Sequence, residues 1–387
     1  MKKNIYFDYA ATTPVDPRVA RAMAPYMTTN FGNPASLHFF GVKAKEALEK
    51  SREIMAKVLN ATSQEIIFTG SVTESNNTAV KGVMLANKNK GKHLIISSIE
   101  HDCVLNSASW LEKQGFAVTR LPVDKYGLIN PQDVKTAIRK DTVLVSVMHA
   151  NNEIGTIEPV AKIGKICREK GVYFHTDAAQ SFGKIPIDVA KMNIDLLTAS
   201  SHKMFGPKGA ALFFVRRGVL IEPLLHGGGQ EFGLRSSTVN LPAIVGFAKA
   251  VELCQKEQEK EGRRLTLLRD KLIKGVLATI PDSHLNGHPQ KRLPNNANFW
   301  FDFIEGEAII MQLDGYGVAA STASACSSPK LEPSHVLLAT GLLPQQAHGS
   351  LRLSLGRGTT EEEIKYLLAI LPKVVENIRK ISQFKRP

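Results

Sequence analysis

Between residues 65 and 215 short apolar runs alternate with stretches of helical periodicity, and that alternation limits the folds open to the chain. Glu65–Thr69, His93–Ser97, Ala117–Leu121, Thr142–Met148, Val172–Thr176, Leu196–Ser200 and Ala211–Val215 read as strands. Val104–Gln114, Pro131–Arg139 and Val160–Lys170 space their apolar residues as helices do. Strands joined through helices pair mostly in parallel, with helices covering both faces of the sheet. The expectation is therefore an α/β fold with a mainly parallel sheet. Ahead of it lie, over 5–13, a short strand running into a small-residue turn, then a helix started by Pro14 and Pro17, and a helix from Val42 to Leu59. Behind it, a charged helix from Pro242 to about Leu277 marks the boundary of a smaller α+β region. That region reads as strand Asn298–Phe303, helix Glu307–Leu313, strand Leu351–Ser354 and a last helix from Thr359 to about Phe384, which Pro372 is expected to kink.

In sheets of this kind ligands bind beyond the carboxyl ends of the strands. The polar residues of interest collect there. Lys203 sits in Thr198-Ala199-Ser200-Ser201-His202-Lys203, followed by Gly206-Pro207-Lys208-Gly209. A lysine among small residues loses hydration and gains nucleophilicity. Ser200 and His202 offer short donors that suit a phosphate. This chemistry points to a Schiff base with an aldehyde cofactor, of which pyridoxal 5'-phosphate is the common one. Asp177 ends the strand before, and a pyridinium nitrogen needs such a carboxylate to stay protonated. Thr73 lies in a hydroxyl-rich turn that opens a helix, a ready anion site. His101, Asn152 and Gln180 also follow strand ends, and His101 has the flat ring and the titration range to stack and to move protons.

Composition narrows the class of protein. No apolar run approaches the length of a membrane span, and no secretory leader is read at the start, where Asp8 interrupts the apolar residues. Cys103, Cys167, Cys254 and Cys326 are scattered, which argues against a zinc site or a disulfide scaffold and fits a reducing cytoplasm. The net charge is +13, but the basic residues are spread over many predicted helices, with a modest cluster of Arg379, Lys380, Lys385 and Arg386. No nucleic-acid-binding signature accompanies them, so the charge reads as the solvated faces of a basic enzyme.

Two features of the second region bear on chemistry. Ser321-Thr322-Ala323-Ser324-Ala325-Cys326-Ser327-Ser328-Pro329 reads as a loop of small residues that presents a reactive cysteine. Arg352 stands amid a strand, with a two-pronged contact to a substrate carboxylate and a structural ion pair as its two readings. The loop His226-Gly227-Gly228-Gly229-Gln230-Glu231 reads as flexible.

Taken together, Asp8-Tyr9-Ala10-Ala11-Thr12-Thr13-Pro14, Gly32-Asn33-Pro34, Thr73-Glu74-Ser75, Glu100-His101, Asn151-Asn152-Glu153-Ile154-Gly155, Asp177-Ala178-Ala179-Gln180, Ser201-His202-Lys203, Ser324-Ala325-Cys326 and Arg352-Leu353-Ser354-Leu355-Gly356 resemble the cysteine desulfurases of iron–sulfur-cluster assembly, in the class V aminotransferase group. The resemblance runs nearly end to end. It implies the pyridoxal-phosphate type I fold, with a large cofactor-binding domain over 15–258. The small domain would comprise 1–14 and 259–387 and carry a mobile cysteine loop at about 320–334. It implies a homodimer acting on L-cysteine, with the cofactor on Lys203, Asp177 at the ring nitrogen, His101 on the ring and Gln180 at the phenolic oxygen. Thr73, Ser200 and His202 would hold the phosphate, with Thr238 reaching in from the other subunit. Asn152 and Arg352 would hold the substrate carboxylate. Cys326 would take the sulfur as a persulfide, leave alanine, and pass the sulfur to acceptor or iron–sulfur scaffold proteins or towards tRNA thiolation. Direct contact with nucleic acid or membrane is not implied. A selenocysteine lyase or a related class V aminotransferase-type enzyme is the alternative. The chain departs from the family pattern at Ala323, Ser237 (both usually glycine), Phe232 (usually arginine) and Gly70-Ser71-Val72.

Overall fold

The computed structural model describes residues 4–322 and 332–382. In chain order the elements begin with β1 (Ile5–Tyr6), α1 (Pro17–Thr28), α2 (Phe39–Leu59), β2 (Ile66–Thr69), α3 (Val72–Asn77) and α4 (Val83–Ala86). They continue with β3 (His93–Ser97), α5 (Asp102–Lys113), β4 (Ala117–Leu121), α6 (Pro131–Ala137), β5 (Thr142–Ser146), α7 (Val160–Lys170), β6 (Tyr173–Asp177), β7 (Leu196–Ser200) and β8 (Ala211–Val215). The rest comprises α8 (Leu241–Thr279), β9 (Ser283–Asn286), β10 (Asn296–Phe301), α9 (Gly306–Gly315), β11 (Val318–Ala319), α10 (His335–Ala339), α11 (Pro344–His348), β12 (Ser350–Ser354) and α12 (Glu361–Ile381).

Seven strands form one sheet in the order β2-β8-β7-β6-β5-β3-β4. Strands β4, β3, β5, β6 and β7 run parallel, and β8 lies antiparallel to both β7 and β2. The interior strands are buried along their length, as expected of apolar runs covered by helices on both faces. Separate apolar clusters pack against the two faces. One joins Leu48 and Met55 of α2 to Phe174, Leu212 and Phe247, and the other joins Val104 and Leu111 of α5 to Ile96 and Phe213.

A third cluster gathers around the antiparallel sheet β12-β10-β9. It takes in Phe7 near the amino end, α12, and the later turns of α8 from Leu265 to Val276. The earlier turns of α8, Leu241 to Cys254, pack instead on the large sheet. The short strand expected at the start is Ile5–Tyr6, paired in parallel with β11, and it runs into a turn at Tyr9–Ala11 as the small residues there imply. The last helix continues through Pro372.

Candidate active site

The carboxyl ends of the parallel strands border a cavity of about 340 Å³. Asp177 ends β6 in register with Thr198 of the neighbouring β7. Both its oxygens accept hydrogen bonds, Oδ2 from Asn76 Nδ2 at 2.6 Å and Oδ1 from the Ala179 amide at 2.8 Å. Asn76 is itself oriented by the Thr198 hydroxyl, which donates to its Oδ1 at 2.6 Å. Asp177 is thus held rigidly with an edge on the cavity.

Lys203 follows β7 after one tight turn, Ser201–Lys203. Its Nζ donates to the carbonyl of Ala10, which also accepts from Gln180 Nε2 at 2.9 Å. The amino-terminal segment therefore supplies part of the site. It is pinned there by Thr13, whose amide and hydroxyl both donate to the His202 carbonyl and whose Oγ1 accepts from the Phe205 amide at 2.7 Å. His202 lines the cavity, with Nδ1 3.1 Å from the Thr12 hydroxyl. Burial pushes its pKa down to about 4, with help from the charges of Lys203, Lys208 and Lys184, so the ring is neutral at neutral pH.

Opposite these, Thr73 and Ser200 face the same cavity. Ser71 caps α3 by accepting from the Glu74 amide at 3.1 Å, so Thr73 is not the cap and its hydroxyl remains available at the cavity. The turn is braced by Glu74, which accepts from the Gly70 amide and pairs with Arg235 at 2.8 Å. His101 begins α5, and its Nδ1 accepts from the Cys103 amide at 3.2 Å. The Cys103 thiol lies 3.1 Å from that nitrogen, and burial followed by the charge of Asp177 pushes its pKa up to about 12. Cys103 therefore stays protonated and does not act as a nucleophile.

Asn152 reaches the cavity because Asn151 folds the loop: its Oδ1 accepts from the amides of Glu153 and Ile154. Arg352 is 1% exposed, and both sequence readings bear on it. Its Nη2 pairs with Asp8 at 2.9 Å and its Nη1 donates to the Asn152 carbonyl at 3.1 Å. Its Nε is buried without a partner among the described residues.

Eight of the residues singled out at strand ends, with Arg352 from the second sheet, thus meet in one cavity. Thr238 does not join them; it is exposed on a separate groove with Asn33, Pro34 and Phe232. Cys326 lies outside the described residues. The loop expected after His226 carries exposed glycines and is anchored at Glu231. Glu231 is buried, accepts two bonds from Arg52 at 2.8 and 2.9 Å, and accepts another from the Phe68 amide. Sequence reasoning missed Asn76, Cys103, Asp8 and the Ala10 carbonyl. Only the i+3 step from Thr73 to Asn76, one turn along the same helix, hinted at any of them.

A carboxylate at one end, hydroxyl and neutral imidazole donors at the other, and an amine between them fit a flat aldehyde bearing a ring nitrogen and a phosphate. The comparisons agree. The family model for class V aminotransferases matches residues 5–367. A curated cysteine desulfurase IscS from Methanosarcina thermophila is 53% identical, over 98% of this chain and 94% of that protein. The IscS of Dictyoglomus turgidum is 51% identical, over 100% and 98%. Among solved structures, a NifS-like protein superposes with a TM-score of 0.91 at 38% identity, covering 97% of this chain and all of that one. SspA in complex with cysteine superposes at 0.80 with 39% identity, covering 91% and 99%. The chain belongs to the class V aminotransferase family and, within it, to the cysteine desulfurases, which are pyridoxal-phosphate enzymes.

Proposed function

We propose that the cavity holds pyridoxal 5'-phosphate through Lys203 and that Cys326 removes sulfur from L-cysteine bound there. The observation that carries this reading is the placement of Asp177 and Lys203 at the ends of two paired strands, across one cavity. When bound, the cofactor withdraws electrons from the α-carbon of the attached amino acid. Asp177, fixed by Asn76, would pair with the ring nitrogen. His101 would stack on the ring, and its Nδ1 already accepts from the Cys103 amide, which fixes the imidazole's orientation. Gln180, whose amide donates to the Ala10 carbonyl, would bond the phenolic oxygen. Thr73, Ser200 and neutral His202 donate to the phosphate.

The substrate carboxylate would meet Asn152 and Arg352, whose Nη2 pairs with Asp8 and whose Nη1 donates to the Asn152 carbonyl. Lys203 would then carry the α-proton. The Cys326 thiolate attacks the substrate sulfur, the bond from that sulfur to Cβ breaks, and Cβ keeps the electron pair and is protonated. The balance is L-cysteine and a Cys326 thiol giving L-alanine and a Cys326 persulfide. Both described flanks of this segment are fastened beside the cavity. Ser321 bridges to Arg352, and the Ser334 hydroxyl bonds the buried Glu153 carboxylate.

The persulfide sulfur passes to acceptor or iron–sulfur scaffold proteins or towards tRNA thiolation, in the reducing cytoplasm. Two copies of the chain form the working enzyme. The exposed apolar Phe31 and Leu37 and the exposed Thr238 support that pairing. The experiment is to incubate the purified protein with L-cysteine, measure alanine, and look by mass spectrometry for an added sulfur on the Cys326 peptide. Cys326→Ser should keep the cofactor's colour and release no sulfide. Undiminished sulfide from that variant would remove Cys326 from the mechanism.

A further inference from the structure

Behind the active-site cavity lies a second, narrower one of about 50 Å³, and Lys203 borders both. Lys184 borders the rear cavity too. The residue is half-buried over its whole surface, but its amine end is enclosed and donates to the Gln180 carbonyl at 2.8 Å. No carboxylate pairs with it among the described residues. A lysine enclosed without a counter-ion is rare, because removing a charge from water costs several kcal/mol unless it is paired.

The acids on the walls are already engaged. Glu257 pairs with Arg357 at 3.0 Å and Arg18 at 2.9 Å, and Glu261 pairs with Arg264; Asp16, outside the lining, pairs with Arg18 and Arg357. Tyr9 lines the cavity and burial raises its pKa, so it stays a neutral phenol. Cys254 also lines the rear cavity, and burial pushes its thiol up to about 11, so it too is neutral. Burial and then the charge of Lys203 push the Lys184 amine down to about 7, with Cys254 acting weakly the other way. The field extends to His202, whose proton affinity falls in part because of Lys203 and Lys184. A mechanical link runs beside it. Lys184 holds the backbone of Gln180, whose side chain shares the Ala10 carbonyl with Lys203.

We propose that Lys184 is a positioning residue for Lys203: in its protonated form its amine, set behind Gln180, opposes a second charge on the Lys203 nitrogen and keeps that nitrogen ready as a base. The inference rests on Lys203 being the cofactor lysine. Like charges in one weakly solvated space disfavour each other, and their protons leave in coupled steps.

The test is a pH titration of the visible absorbance of the holoenzyme, for wild type, Lys184→Met, Lys184→Gln and Lys184→Arg. Gln keeps a donor towards the Gln180 carbonyl without the charge, and Arg keeps the charge. Both neutral variants should titrate about one pH unit higher than wild type, and Lys184→Arg close to it. An unchanged midpoint in Lys184→Gln overturns the proposal, even if Lys184→Met shifts or fails to fold, since only packing would then be at work. Loss of the visible band in both neutral variants also overturns it, by assigning the charge to cofactor retention. A wild-type protein with no visible band at all would instead refute the reading of Lys203.

Discussion

Asp177 depends on a neighbour from another element. Asn76 donates to it at 2.6 Å and is in turn oriented by Thr198. Asp177→Asn should leave the cofactor in place but slow alanine formation by about 10²-fold or more, because an amide does not keep the ring nitrogen protonated. Alanine measured under L-cysteine saturation, alongside the visible spectrum, checks both halves of that outcome. Ser237 raises a different question at the same scale. Its φ is +120°, a conformation that favours glycine, where the family pattern has glycine. Ser237→Gly should raise stability by about 1 kcal/mol, read as a higher thermal midpoint. The identities of the site residues were legible because strand ends collect ligands and small polar residues there are conspicuous. Their contacts were not. Asn76 meets a residue 101 positions away and Arg352 meets Asp8 across 344 positions, and no local pattern encodes such pairs.

At the scale of elements, legibility followed the same division. Strands β3, β4, β7 and β8 and helix α7 begin and end where their apolar spacing and flanking turn residues say. The antiparallel insertion of β8 between β2 and β7 was not visible, since an apolar run reads alike in either direction. Nor was the π-helical turn Thr78–Gly82 between α3 and α4. The anchor of the glycine-rich loop was not legible either: it is a single glutamate buried against α2. Arg52 and Glu231 are 2% and 1% exposed along their side chains, and breaking such a pair leaves an uncompensated buried charge. Arg52→Ala should therefore cost about 3–5 kcal/mol, visible as a lower urea midpoint, and should loosen the loop that carries Thr238. Replacing Arg52 and Glu231 together by apolar residues should cost less than the single change, apart from the lost acceptor for the Phe68 amide.

For the whole molecule, the buried acids set a pH dependence of stability. Glu100 sits under the site, accepts from Ser97 and the Met148 amide, and is pushed by burial from 4.5 up to about 8. The folded state therefore holds a proton that the unfolded state has lost between those two values. The contribution is fully present below pH 4.5 and disappears as pH rises towards 8, by up to about 1.4 kcal/mol per pH unit. Glu100→Gln removes that slope, so the stability of wild type relative to the variant should decline from pH 5 to pH 8 in denaturant titrations. A constant difference would show that Glu100 is ionised throughout. All of these features converge on one amine at the junction of two cavities, and the absorption spectrum of the purified protein tests that directly. Wild type should show the visible band of a lysine-bound cofactor, which L-cysteine perturbs as alanine appears, and Lys203→Ala should lack the band. A Lys203→Ala protein that keeps the band would contradict the account at its centre.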